Sequence, residues 1–382
     1  MLFTKALSAV AFAAFAAAAP AAEPRSAPVP RFSIPTDDGF PTPNAEQLKV
    51  INDLADGTLS NAPPPAKINE TSFTVFQLTA FNENFEVAFF SSLLHNVTTS
   101  VPGFEVRNQK KRDELIDILE TVLAQEKLHA INAANVLRNF KVFIPQPCRY
   151  QFPSTNVYEA ISLAERFTAI ALGNLQDAIQ TLARNGDVGP VRGVASSLGQ
   201  EGQQSGFYRI LLSKKPSEKP FLTTNTAAFA YSALQQFIVP GSCDYELKEI
   251  KLPIFTPLNV ISGKGGAAVE ARDQHLSFHA DFTGVAAADA YIGKQDGLWI
   301  TYFTGQRVPF GVPITNAKWT GRSVTFEASF PYTENVMEGL SIASLTTKST
   351  FANPAEVVAA ALAAPGLIQV DDRVKSWDGF KL

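Results

Sequence analysis

The chain has 382 residues, 46% of them hydrophobic and 18% charged, which is enough apolar material for two domains and excludes global disorder. A formal net charge of −4 without a long basic stretch removes any electrostatic case for nucleic-acid binding. With only two cysteines, Cys148 and Cys243, a metal–sulfur site is poorly supported.

Residues 1–22 read as a secretory signal peptide, with one Lys, an apolar run from Ala6 and Ala-x-Ala choices around Ala17 to Ala22. The expected location is therefore extracellular, the cell wall included. No later segment offers about eighteen uninterrupted apolar residues, so no membrane span is expected. In an oxidising compartment the two cysteines most simply form one disulfide, Cys148–Cys243. The sequons Asn69-Glu70-Thr71 and Asn96-Val97-Thr98 mark Asn69 and Asn96 as glycosylation sites. Residues 23–66 are rich in Pro and Ala and read as an extended arm or processed pro-region, with a short helix over Glu46 to Leu54.

Residues 67–245 carry helical periodicity. A first long helix over Ser72 to Leu94 has the seam Phe76, Ala80, Glu83, Val87, Phe90 and Leu94, stepping 4, 3, 4, 3, 4. Glu86 falls on the neighbouring stripe with Phe89 and Leu93 and is the less favoured carboxylate. A second helix, Arg112 to Phe140, places Glu126 and His129 mid-seam between Val122 and Ala133. Lys141 to Asn156, with three prolines, reads as an extended crossover along the helices. A third helix, Val157 to Arg184, has the seam Tyr158, Ile161, Glu165, Thr168, Leu172, Leu175, Ile179 and Leu182. The fourth, about Val191 to Ser213, carries Glu201 inward with Gln204 one turn on. Its Gly199, Gly202 and Gly206 each cost about 1 kcal/mol relative to Ala and are tolerable if another helix approaches closely there. A fifth apolar stretch spans Ala227 to Val239.

After Lys251 the period shortens to two. Residues 275–282, 298–303 and 324–330 read as strands, which predicts a small antiparallel β domain of sandwich or barrel type over 250–350. Asn353-Pro354 then caps a C-terminal helix, Ala355 to Ala363, in the tail 351–382. His275 and His279 share a strand face, and a surface role is favoured for them over a metal site.

Four helices thus each put one carboxylate at mid-seam: Glu83, Glu126, Glu165 and Glu201. Buried together they would repel one another and raise each other's pKa values, a cost that divalent cations would remove with His129 as a nitrogen ligand. A metal-free polar layer fixing helix register is the alternative, and slightly the favoured one.

The arrangement resembles the carboxylate-bridged site of ferritin-like proteins. Asn82 to Phe90, Gln125-Glu126-Lys127-Leu128-His129, Ala164-Glu165 through Leu172-Gly173, and Pro220 to Ile238 resemble the ferritin-like domain of desiccation-related proteins and the fungal late-sexual-development family. That resemblance implies an α+β protein: a ferritin-like four-helix bundle plus a fifth helix, followed by the β domain. It also implies one or two Fe or Mn ions on Glu83, Glu126, His129, Glu165 and Glu201, with Gln204 where the pattern carries a second His. Because an amide oxygen is a poor iron ligand beside imidazole, the site reads as degenerate. The expected function is a secreted scaffold linked to development or stress, with the β domain as an interaction or wall-binding module. The alternative is an Fe- or Mn-dependent oxidoreductase.

Overall fold

The computed structural model describes residues 34–374; the expected signal peptide and the start of the arm lie outside the described residues. The rest of the arm is tied to the core. Helix α1 (Ala45–Leu54) begins at a capping box in which Asn44 and Gln47 each accept the other's backbone N–H at 2.9 Å. Phe40 and Ile51 are fully buried, Lys127 pairs with Asp38 at 2.5 Å, and Gln125 donates to the Ala55 carbonyl. Residues 38–55 are therefore not a free extension.

Four long helices follow: α2 (Phe73–Thr98), α3 (Gln109–Asn139), α4 (Val157–Arg184) and α5 (Val188–Leu211). Asn108 and Asn156 cap α3 and α4 by accepting the N–H groups of Lys111 and Glu159. Helix α2 packs along α3, α4 along α5, and α2 touches α4; α6 (Ala227–Leu234) lies against α2 and α4. Phe167 of α4 takes the ring edges of Phe85, Phe89 and Phe90 of α2, with centroids 4.8 to 5.8 Å apart. The middle of α2 is buried on every side, residues 83–90 without exception.

The connection 141–156 runs extended, and its carbonyls are satisfied from α2: Gln77 donates to Phe143 and Asn84 to Pro145. Cys148 in this connection is disulfide-bonded to Cys243. Tyr158, expected inward at the start of α4, is 51% exposed. The helical glycines do not all mark close approaches. A Cβ at Gly199 or Gly202 would meet nothing within 4 Å, so no helix approaches there, whereas Gly206 faces the Pro216 carbonyl. The close approach is at Gly173 of α4, where a Cβ would lie 2.7 Å from the Thr223 oxygen.

Among the described residues the sheet has seven antiparallel strands: β1 (Asn259–Val260), β2 (Gln274–Asp281), β3 (Trp299–Thr304), β4 (Phe310–Thr320), β5 (Ser323–Phe330), β6 (Leu340–Thr346) and β7 (Ala361–Gln369). Their order is β1-β2-β5-β4-β3-β6-β7. The sheet nearly closes on itself, because Val269 N donates to the Gln369 carbonyl and Gln369 N to the Gly266 carbonyl. The helix read over Ala355 to Ala363 ends at Ala360, and Ala361 to Ala363 begin β7. The last strand thus comes from the segment read as a tail. Strand β6 faces two cores: Leu340 and Ile342 join the helices' core, while Ala343 and Leu345 join the barrel's own. Among the described residues no helix is long and apolar enough to cross a membrane.

Candidate metal centre

The elements bring Glu83 of α2, Glu126 and His129 of α3, and Glu201 of α5 to one point. One ligand atom from each lies within 4.8 Å of all the others. His129 Nδ1 is 3.0 Å from Glu126 Oε2 and 3.7 Å from both Glu83 Oε2 and Glu201 Oε1. Glu126 and His129 reach the same place because a three-residue step on a helix keeps two side chains on one face. The carboxylates are buried, and the His129 side chain keeps 17% exposure.

Glu86, set aside in the sequence, belongs to the same cluster. It lies one turn from Glu83 and is fully buried, its Oε1 accepting from Asn82 Nδ2 at 2.8 Å. Desolvation, followed by repulsion from Glu201, Glu126 and Glu83, holds its carboxyl well above the ordinary range. Burial and the charges of Glu126 and Glu83 do the same to Glu201. Burial raises Glu83 to about 7 against the lowering pull of His129. At His129, burial opposes the charged form, but the hydrogen bond with Glu126 and the nearby Glu83 carboxylate outweigh it and lift the imidazole well above its usual pKa. Even so, Glu83 Oε2, Glu86 Oε2, Glu126 Oε1 and both oxygens of Glu201 are buried with no hydrogen-bond partner among the described residues. Such orphaned acceptors each cost about 1–3 kcal/mol unless a proton or cation meets them. The cluster could hold a metal ion.

Gln204 stands next to this cluster with its amide already committed. Its Oε1 accepts from Tyr208 Oη and its Nε2 donates to Gln125 Oε1, the acceptor that also serves Gln200. Tyr208 is fully buried, and desolvation together with Glu126, Glu86 and Glu201 pushes its phenol well above 10.

Glu165 is placed elsewhere, which corrects the ligand set read from the seams. Its position on α4 looks at the end of α5 and at β7, where Arg209 Nη1 lies 2.6 Å away, Lys214 Nζ 2.7 Å and Gln369 Nε2 3.3 Å. Burial raises this carboxyl, opposed by Lys214 and Arg209. Arg209 also pairs with Glu218 and Asp372. Arg209 lies off the helix seam and escaped sequence reasoning, although a buried Glu165 needed a cation somewhere.

The remaining candidates fall at the surface or at helix ends. His275 and His279 point away from the barrel core, between buried Leu276, Phe278 and Ala280, and His279 Nε2 meets Ser323 Oγ. Asn69 is exposed, and Asn96 is half-buried in the last turn of α2. No protein-family model matches the chain, and no curated protein matches it.

Proposed function

We propose that the helical half is a ferritin-like metal-binding bundle, and that Glu83, Glu126, His129 and Glu201 hold a divalent iron or manganese ion. The observation carrying this reading is the convergence of four ligand atoms from three helices within 4.8 Å, with buried carboxylate oxygens left unpartnered. Donors on one ion with bonds of about 2.0–2.2 Å lie no more than ~4.4 Å apart, so a small contraction would close the shell. Three carboxylates and an imidazole suit manganese or iron. The motif is lopsided, Glu-x-x-His on α3 against Glu-x-x-Gln on α5, and that asymmetry favours one ion over two.

A bound ion of this kind supplies Lewis acidity and a one-electron couple. The chain's own residues supply the proton balance. Nδ1 of His129 and the carboxyls held neutral by burial must release protons on loading, so affinity rises with pH. Asn82 orients Glu86 beside the ligands, and Gln204 orients Tyr208. The disulfide fits an oxidising compartment, and with the family resemblance it supports a secreted protein of fungal development or stress. In that reading the bundle is the scaffold and the barrel the interaction module. Tyr208 favours a second reading, an oxidoreductase, because a buried phenol beside the cluster can hold a proton at Oη.

The test is metal retention after reconstitution with Fe(II) or Mn(II) and desalting. About one ion per chain, absent from a folded Glu126→Ala, His129→Ala variant, is the expected result. A folded wild type that retains none overturns the proposal. Oxygen or peroxide consumption by the loaded protein would separate the oxidoreductase from the scaffold.

A further inference from the structure

A second site is built where the start of α4 meets the turn that closes the barrel. A cavity of about 400 Å³ there is lined by residues 153–166 of the crossover and α4, by 264–268, and by Lys214, Asp371 and Arg373. That volume falls within the usual range for small-molecule sites. Its charges do not balance locally. Asp371 is occupied by Arg373, which it meets through both oxygens at 2.6 and 2.7 Å. Lys214 is occupied by Glu165, while Glu159, which accepts from the N–H and hydroxyl of Thr155 at 2.8 Å, stays an anion in the wall within the field of Lys264.

Arg166 remains, together with the exposed Lys264, whose charge acts on Glu159 from beyond ion-pair distance. No carboxylate among the described residues lies within ion-pair distance of either. The Arg166 Nε is buried with no hydrogen-bond partner among the described residues. Desolvation lowers the pKa of this guanidinium, with Glu165 opposing the shift. A half-buried guanidinium with an unsatisfied Nε leaves the wall of this cavity short of an acceptor.

Lys264 is held over the cavity by backbone that disfavours it. It stands at φ +54 in the run Gly263-Lys264-Gly265-Gly266, a left-handed turn that suits its glycine neighbours. The turn is pinned against β7, since a Cβ on Gly266 would lie 2.0 Å from the Leu367 oxygen. A charged residue kept at a position glycine would fill better points to a use for the charge.

We infer that this cavity binds a small organic anion through a phosphate or carboxylate group clasped between Arg166 and Lys264. The first turn of the 28-residue α4 lies in the same wall and adds the positive end of its dipole. This site shares no residue with the metal centre and does not depend on it.

The test is calorimetric titration of the full chain with glucose 6-phosphate, citrate and inorganic phosphate, with neutral glucose as control. The expected result is saturable binding of at least one organic anion, weakened tenfold or more in Arg166→Gln and in Lys264→Gly and unchanged in Glu126→Ala. The anion that binds distinguishes phosphate from carboxylate recognition. Lys264→Gly is also expected to raise Tm, because it relieves the left-handed backbone, so its loss of binding cannot come from unfolding. No binding of any anion, or binding that both variants retain, overturns the inference.

Discussion

Glu83, Glu86 and Glu201 are carboxyls that the fold prefers to keep protonated, and that preference sets the pH behaviour of the metal-free protein. For Glu83 the folded pKa is about 7 against an ordinary 4.5, raised by burial. Its stabilising contribution is complete below pH 4.5 and is lost as pH rises through 7. His129, also raised, has the same sign: it stabilises below 6.5 and loses that contribution as pH climbs. Metal-free protein is therefore expected to melt at lower temperature at pH 8 than at pH 5.5, and Mn(II) to raise Tm more at pH 8. Differential scanning calorimetry reads both, and a metal-free Tm that climbs from pH 5.5 to 8 would contradict the assignment. At this scale Glu83, Glu126, His129 and Glu201 were legible, because a charge at mid-seam of an apolar stripe is conspicuous. Glu86 was not, because a helix buried on all sides has no outer stripe. Nor did any spacing show that Glu165 looks at Arg209 rather than at the other seams.

Among elements, α5 and β7 carry the differences between pattern and fold. The glycines of α5 would be tolerable under a closely approaching helix, yet among the described residues nothing lies within 4 Å of a Cβ at Gly199 or Gly202. Gly199→Ala and Gly202→Ala should each stabilise by about 0.5–1 kcal/mol, since a helix interior favours Ala and nothing obstructs the methyl. Gly173→Ala should destabilise, because its Cβ would lie 2.7 Å from the Thr223 oxygen and 2.9 Å from the Asn225 nitrogen. Urea denaturation of the three variants measures both signs. Strand β7 was illegible for a related reason. Ala364 joins the helical core while Ala363 and Ile368 join the barrel core. A strand buried on both faces shows an unbroken apolar run, and Ala-Ala-Ala-Leu-Ala-Ala after a proline N-terminus reads as helix. Strands β2 and β5, with one face turned outward, kept the alternation that revealed them.

At the scale of the whole molecule, the helices and the barrel are joined by a buried ionic knot. Arg209 of α5 meets Glu165 of α4, Glu218 after α5, and Asp372 beyond β7. Apolar contacts reinforce it, with the Phe229 and Phe303 rings stacked 5.7 Å apart. Removing one member of a buried charge network strands the others, at a cost of about 3–5 kcal/mol. Arg209→Met is expected to lower unfolding free energy by that order, and Glu165→Gln by less, because Lys214 and Arg209 keep other acceptors. An Arg209→Met protein as stable as wild type in urea would show that the knot contributes nothing.

A cation site formed by Glu83, Glu126, His129 and Glu201, with Glu165 outside it, makes Glu165 dispensable for metal binding. Titration of Mn(II), followed by loss of the free-ion electron paramagnetic resonance signal, compares Glu201→Gln with Glu165→Gln directly. About one tight site is expected in wild type, retained in Glu165→Gln and weakened at least tenfold in Glu201→Gln. Equal loss in both variants would return Glu165 to the ligand set, and no uptake by folded wild type would leave the cluster as a protonated polar layer.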